Sequence, residues 1–131
     1  MATRSRPLSP HLQIYRPTHT MVLSVLHRAT GLVLALGLLL FAAWLLALAA
    51  GPLAYTQLTR LLASPPGRLL LVGFLFAYCY HFTSGIRHLV FDTGRGLERR
   101  AARHSAWLVV VVSLALAALS LWAMLRVGGS P

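Results

Sequence analysis

Lysine is absent from this sequence and acidic side chains nearly so: Asp92 and Glu98 stand against twelve arginines, for a net charge of +10. So basic a balance raises nucleic acid as a partner. The arginines, however, flank apolar segments instead of forming one soluble basic face, which excludes nucleic acid. Cysteine is reduced to Cys79. An internal disulfide or a thiolate cluster is therefore excluded, and Cys79, in the middle of an apolar run, reads as a small packing residue. Charged residues make up only 11% and apolar residues 57% of the chain. That composition excludes disorder and matches no common soluble class.

What is present in quantity is hydrocarbon. Three stretches without Asp, Glu or Arg, Ala29 to Thr59, Leu69 to Ile86 and Ala106 to Leu125, approach or exceed the about 20 residues that a spanning helix needs. The first is longer than one span, and Gly51-Pro52 should end its helix. We therefore expect an all-α membrane protein forming a single transmembrane domain over residues 1–131. Its parts are a surface arm over 1–19 and three transmembrane helices, up-down-up, at about 20–50, 65–92 and 105–126. Pro7, Pro10 and Pro17 keep the arm from forming a long helix. Pro17-Thr18 followed by Thr20 marks the start of the first span, and Ser64-Pro65 the start of the second. The stretch Gly51 to Gly67 reads as a polar loop. Thr93-Gly94-Arg95-Gly96 terminates the second span.

The arginines also orient the chain. Arg4, Arg6, Arg16, Arg28, Arg87, Arg95, Arg99, Arg100 and Arg103 fall on one side of the bilayer, with Arg60, Arg68 and Arg126 on the other. By the positive-inside rule the first side, with the N-terminus, is cytoplasmic. A cleavable signal is disfavoured, because the region before the first apolar run is long and carries His and Arg throughout. The chain begins almost at its first motif without a transit peptide, so the expected location is a bacterial inner (cytoplasmic) membrane, multi-pass.

The end of the second span carries ionisable groups that a lipid-facing helix would not tolerate. At about 100° per residue, His81, Gly85, His88 and Asp92 fall within about 60° of one another, whereas Arg87 points away. An ionisable side chain in hydrocarbon costs about 2.5–3.5 kcal/mol on insertion scales, so it faces a partner, a cofactor or water. On the first span, Ser24, Arg28, Gly31 and Ala35 share a stripe flanked by His27. If Met21 and Asp92 mark the membrane boundary, Arg28 lies about 10 Å deep and His81 about 16 Å deep. A haem b needs such a gradient: an imidazole for its iron within the apolar layer and cations nearer the surface for its propionates. Arg28, His27 and His88 are placed to supply those cations. Only His81 lies near mid-membrane, so a six-coordinate haem would take its second ligand from another chain. Each residue also has a plainer reading. His81 could be a buried histidine bonded to a neighbouring helix, Arg28 a snorkelling side chain, and His88 with Asp92 an ion pair or a helix-end feature.

Three motifs resemble the larger cytochrome b membrane-anchor subunit of succinate dehydrogenase (respiratory complex II). They are Arg6-Pro7-Leu8-Ser9-Pro10-His11-Leu12-Gln13-Ile14-Tyr15-Arg16, then Ser24-Val25-Leu26-His27-Arg28-Ala29-Thr30-Gly31, then His81 three residues before Gly85-Ile86-Arg87-His88-Leu89 with Asp92. They stand in that family's order and spacing. The family often has Trp before the final Asp, where this chain has Phe91. The resemblance implies that His81 is the axial ligand of a haem b shared with a smaller anchor subunit, and that His27 contacts a propionate. It also implies that Ser24 and Arg28 bind the ubiquinone head group, with His88 and Asp92 around the same pocket. The remaining partners would be an iron–sulfur subunit and a flavoprotein subunit. This chain has neither a dinucleotide fingerprint nor cluster cysteines and is not expected to oxidise succinate by itself. Two alternatives remain open at the level of sequence: a haem-free, quinone-reactive anchor of a fumarate reductase-type complex, and a small helical transport or assembly protein.

Overall fold

A computed structural model describes residues 16–128, with side chains through residue 126. The first motif up to Tyr15 and most of the expected surface arm lie outside the described residues. Within them the chain forms four helices: α1 (His19–Ala50), α2 (Pro52–Ala63), α3 (Pro65–Asp92) and α4 (Arg99–Gly128). Three of these, α1, α3 and α4, are long and apolar enough to cross a membrane.

Helix α1 starts where the sequence signals it. Thr18 is extended (φ −83°, ψ 151°), and its carbonyl accepts from the amides of Met21 and Val22 at 3.0 and 3.1 Å. The helix runs for 32 residues, about 48 Å at 1.5 Å per residue, so one end must project beyond the about 30 Å hydrocarbon layer. Gly51 stops it at φ 110°, ψ 179°, a conformation that a Cβ strongly disfavours.

The expected polar loop from 51 to 67 is instead mostly helix. Pro52 opens α2 at its first turn, where a missing amide proton costs nothing. Tyr55, Leu58, Thr59 and Leu62 turn partly inward, while Leu53 and Leu61 stay exposed. The Trp44 and Tyr55 rings meet at 6.1 Å and hold α2 against α1. Twelve residues are too few to span a bilayer, and an apolar-inward, mixed-outward helix of this kind suits its surface. Ser64 then caps α3, its hydroxyl accepting from the Gly67 amide at 3.4 Å, with Pro65 in the first turn. The corner leaves no space at Gly67: an added Cβ would lie 2.6 Å from the Leu62 carbonyl oxygen and 2.7 Å from its Cα. Gly67→Ala should therefore destabilise the α2–α3 corner by roughly 1–3 kcal/mol, seen as a lower thermal midpoint of the detergent-solubilised protein.

Helix α3 ends at Asp92, followed by Gly94 in the left-handed region (φ 76°) with its amide on the Phe91 carbonyl at 2.8 Å. Helix α4 begins at Arg99, earlier than the expected 105. Its first turns are too charged for a span but rich in Ala and Arg, which are good helix formers. Arg87 secures them: Nε donates to Ser105 Oγ at 2.9 Å and Nη2 to the Ala102 carbonyl at 3.1 Å, while the guanidinium lies 4.4 Å from the Phe91 ring centroid. The direction expected for Arg87, away from the histidine stripe, is thus the direction of α4.

The spanning helices run antiparallel in sequence order, since Gly31 meets His81 while Gly37 meets Phe74, and Arg87 meets Ser105. They share one small buried layer of Leu23, Tyr80, Ala106 and Val109, with Val110 packed against it. Tyr80 Oη donates to the Leu23 carbonyl at 3.0 Å across this layer. Tyr80→Phe should lower stability by about 1 kcal/mol, read as an earlier thermal transition with unchanged helix content. Ser113 of α4 is buried and donates to the Val110 carbonyl at 3.0 Å. Elsewhere the large apolar side chains face outward, Leu46 at 70% and Leu69 at 74% exposure. That is the inverse of a water-soluble protein and what lipid or a partner helix requires.

Candidate functional site: a histidine group on the α1–α3 seam

Antiparallel packing brings the two motif segments, 24–31 of α1 and 81–92 of α3, to the same end of the bundle. Three imidazoles converge there. The His27 ring lies between the other two, 4.1 Å from His81 at 11° and 4.7 Å from His88 at 23°. Glycines make room: an added Cβ at Gly31 would stand 3.0 Å from His81 Cε1, and one at Gly85 would stand 4.0 Å from His27 Nε2.

Hydrogen bonds settle the roles of the ring nitrogens. His81 Nδ1 lies 3.1 Å from the His27 carbonyl oxygen and 3.4 Å from Thr30 Oγ1. A carbonyl can only accept, so Nδ1 carries the proton and Nε2 keeps its lone pair. His81 Nε2 makes no hydrogen bond and is not sealed from its surroundings, unlike His27 Nε2, which is buried and unpartnered. His88 Nδ1 likewise donates to the Ser84 carbonyl at 2.7 Å, leaving its Nε2 for a ligand. An imidazole with Nδ1 tied to a backbone carbonyl and Nε2 open is the arrangement of a metal-ligating histidine. His27 cannot face it across an iron, because its ring, stacked on that of His81 at 4.1 Å, presents a π face instead of a nitrogen lone pair, and the same ring stands between His81 and His88. Among the described residues no set of His, Cys, Asp and Glu side chains is disposed to hold a bare metal ion. The donor set fits one axial bond to a macrocycle.

The remaining expected residues lie on the same segments of α1 and α3. Ser24 is half-buried on α1, and Arg28, one turn on, is exposed with its guanidinium unbonded to any described residue. Asp92 is exposed at the last turn of α3, its carboxylate equally free among the described residues. A groove of about 780 Å³ starts about one turn from His81 toward the middle of the bundle, between Leu34, Gly37, Phe41, Trp44, Phe74 and Tyr78. Its walls are apolar, as a flat hydrophobic group or a neighbouring helix would need. The structure thus brings the His27 ring against those of His81 and His88, and does not bring Ser24, Arg28 or Asp92 into a side-chain hydrogen bond or ring contact with them. Sequence reasoning missed Thr30, which touches His81, and Tyr80, which ties α3 to α1. Their only signal was membership of the quoted motif for Thr30 and one-residue adjacency to His81 for Tyr80.

Three helices long and apolar enough to cross a membrane, with a group of histidines on the seam between two of them, define as a class a small multi-span membrane subunit. The comparisons make the class specific. The family model described as the succinate dehydrogenase/fumarate reductase transmembrane subunit matches residues 2–120. The chain is 43% identical over 117 residues, 89% of its length and 90% of the relative's, to the succinate dehydrogenase cytochrome b556 subunit of Rickettsia typhi. It is 38% identical with the same coverage to that of Paracoccus denitrificans. To the mitochondrial cytochrome b560 subunit of Homo sapiens it is 37% identical over 122 residues, 92% of this chain and 72% of the human one. The chain belongs to the succinate dehydrogenase/fumarate reductase transmembrane subunit family. As a transmembrane subunit, it is the membrane part of such an oxidoreductase and not the part that turns over the dicarboxylate.

Proposed function

We propose that this chain supplies one axial ligand to a haem b and one side of a quinone site, and so passes electrons from an iron–sulfur subunit to ubiquinone. The observation that carries the reading is His81, with Nδ1 fixed on the His27 carbonyl and Nε2 open. When bound, haem b would supply a one-electron store beside the quinone site. His81 would hold it through Nε2. Arg28 and His88, whose guanidinium and Nε2 are unbonded here, would hold its propionates from the more polar end. His27, packed flat on the His81 ring, would contact a propionate from the same end.

Ser24 and Arg28 sit one turn apart on α1 and would present a hydroxyl and a guanidinium to the same quinone carbonyl. Negative charge develops on that oxygen as electrons arrive, and fixed donors in a low-dielectric site stabilise it without reorganisation. Asp92, at the last turn of α3, would lie around the same pocket. The second axial ligand would come from a smaller anchor subunit. An iron–sulfur and a flavoprotein subunit would dock at the arginine-rich end, which faces the cytoplasm in a bacterial inner membrane.

Affinity purification of this chain from its native membrane tests the reading. The eluate should contain a flavoprotein and an iron–sulfur protein, and its dithionite-reduced minus oxidised spectrum should show a haem b α-band. The same proteins without the band would indicate the haem-free anchor, and their absence would indicate an unrelated transport or assembly role.

A further inference from the structure

Thr30 and Gly31 close the first-span motif, yet the reading above gives them no task. We propose that they are positioning residues for the haem ligand, fixing the plane of the His81 ring from α1; the inference rests on the haem reading of His81. Thr30 Oγ1 lies 2.9 Å from both the Leu26 and the His27 carbonyl oxygens. Its single proton therefore goes to one of these, and its lone pairs turn toward His81 Nδ1 at 3.4 Å. The Nδ1 proton is thus shared between the His27 carbonyl at 3.1 Å and the Thr30 hydroxyl. Two acceptors at different angles limit rotation about the Cβ–Cγ bond, which a single acceptor would permit.

Gly31 fixes the adjacent edge. A Cβ there would stand 3.0 Å from Cε1, 3.5 Å from Nδ1 and 4.0 Å from Nε2, so the α1 backbone is pressed against the ring edge between its two nitrogens. With that edge against α1 and its proton shared by two α1 oxygens, the direction of the Nε2 lone pair is set by α1 and not by α3, which carries the residue. Partners of the non-ligating nitrogen fix ligand orientation and basicity and thereby tune a metal. For haem, the ring plane and the strength of its hydrogen bond set the splitting of the iron levels and the potential. Thr30 and Gly31 touch neither iron nor porphyrin and act through His81.

The test uses the whole purified complex with Thr30→Val, Thr30→Ser and Gly31→Ala. Three quantities are read: haem per flavin, the largest g value of the oxidised haem and its midpoint potential. Thr30→Val keeps the side-chain volume and should shift both the g value and the potential; Thr30→Ser, which keeps the hydroxyl, should restore both. Gly31→Ala should displace the g value or lower the haem content, although Ala is the better helix former. Loss of haem in Thr30→Val with retention in Thr30→Ser supports the proposal through content instead of potential. Wild-type g values and potentials in both Thr30→Val and Gly31→Ala would overturn it. A Ser variant shifted as far as the Val variant also overturns it, since methyl packing would then be the cause. A wild-type complex without haem b, or a haem band that survives His81→Ala, removes the haem reading itself, so the two failures are distinguishable.

Discussion

Exchanging His81 for Ala should remove the haem b band from the reduced-minus-oxidised spectrum while the flavoprotein and iron–sulfur subunits still co-purify. The expected drop in haem per flavin exceeds the roughly 10–100-fold that loss of a hydrogen-bonding partner around a metal costs. No neighbour can substitute. His27 is stacked face-on with its Nε2 buried, and His88 stands two turns, about 10 Å, along α3 from His81 with the His27 ring between them. Ala keeps the helix intact, so a spectroscopic loss would not reflect a broken α3. An unchanged band would end the ligand assignment.

Arg28→Leu should lower kcat/KM for quinone by about 10–100-fold. A hydrogen bond to a charged group is worth about 1.5–3 kcal/mol, and each 1.4 kcal/mol is a factor of about ten in rate. Succinate oxidation by an artificial acceptor should be unaffected, because Arg28 bonds to no described residue of the fold and Leu keeps its apolar stem. Arg28→Lys should fall between, since a point charge cannot reproduce the planar fork. Parallel assays with the two acceptors decide the matter: equal loss in both would mean failed assembly and no quinone role.

The helix boundaries were legible because proline and glycine punctuate them. Pro17-Thr18, Gly51-Pro52, Ser64-Pro65 and Gly94 mark the ends of α1 and α3 within a residue or two. Helix α2 was not, because hydropathy over a segment containing Thr56, Gln57, Thr59 and Arg60 reads as loop. Its inward stripe of Tyr55, Leu58 and Leu62 becomes visible only once α1 and α3 supply something to face. The site divides in the same way. Periodicity along one helix put His81, His88 and Asp92 on one stripe and sent Arg87 elsewhere; His81 and His88 both meet His27, and Arg87 meets α4. It could not supply the relative register of α1 and α3, and that register places the His27 ring between two others and Thr30 beside Nδ1. Arg87 shows the limit in miniature: its direction follows from a helical wheel, but its acceptors, Ser105 and the Ala102 carbonyl, depend on how two helices slide past each other.

The buried layer of Leu23, Tyr80, Ala106 and Val109 is small against the apolar surface left outward on every span. A protein built this way draws much of its cohesion from whatever it joins, and its stability is linked to the concentration of those companions. Copies made in excess would remain orphans, open to surveillance proteases in the membrane. The cellular level of this subunit should accordingly rise and fall with that of the scarcest member of its assembly, whatever the rate of its own synthesis.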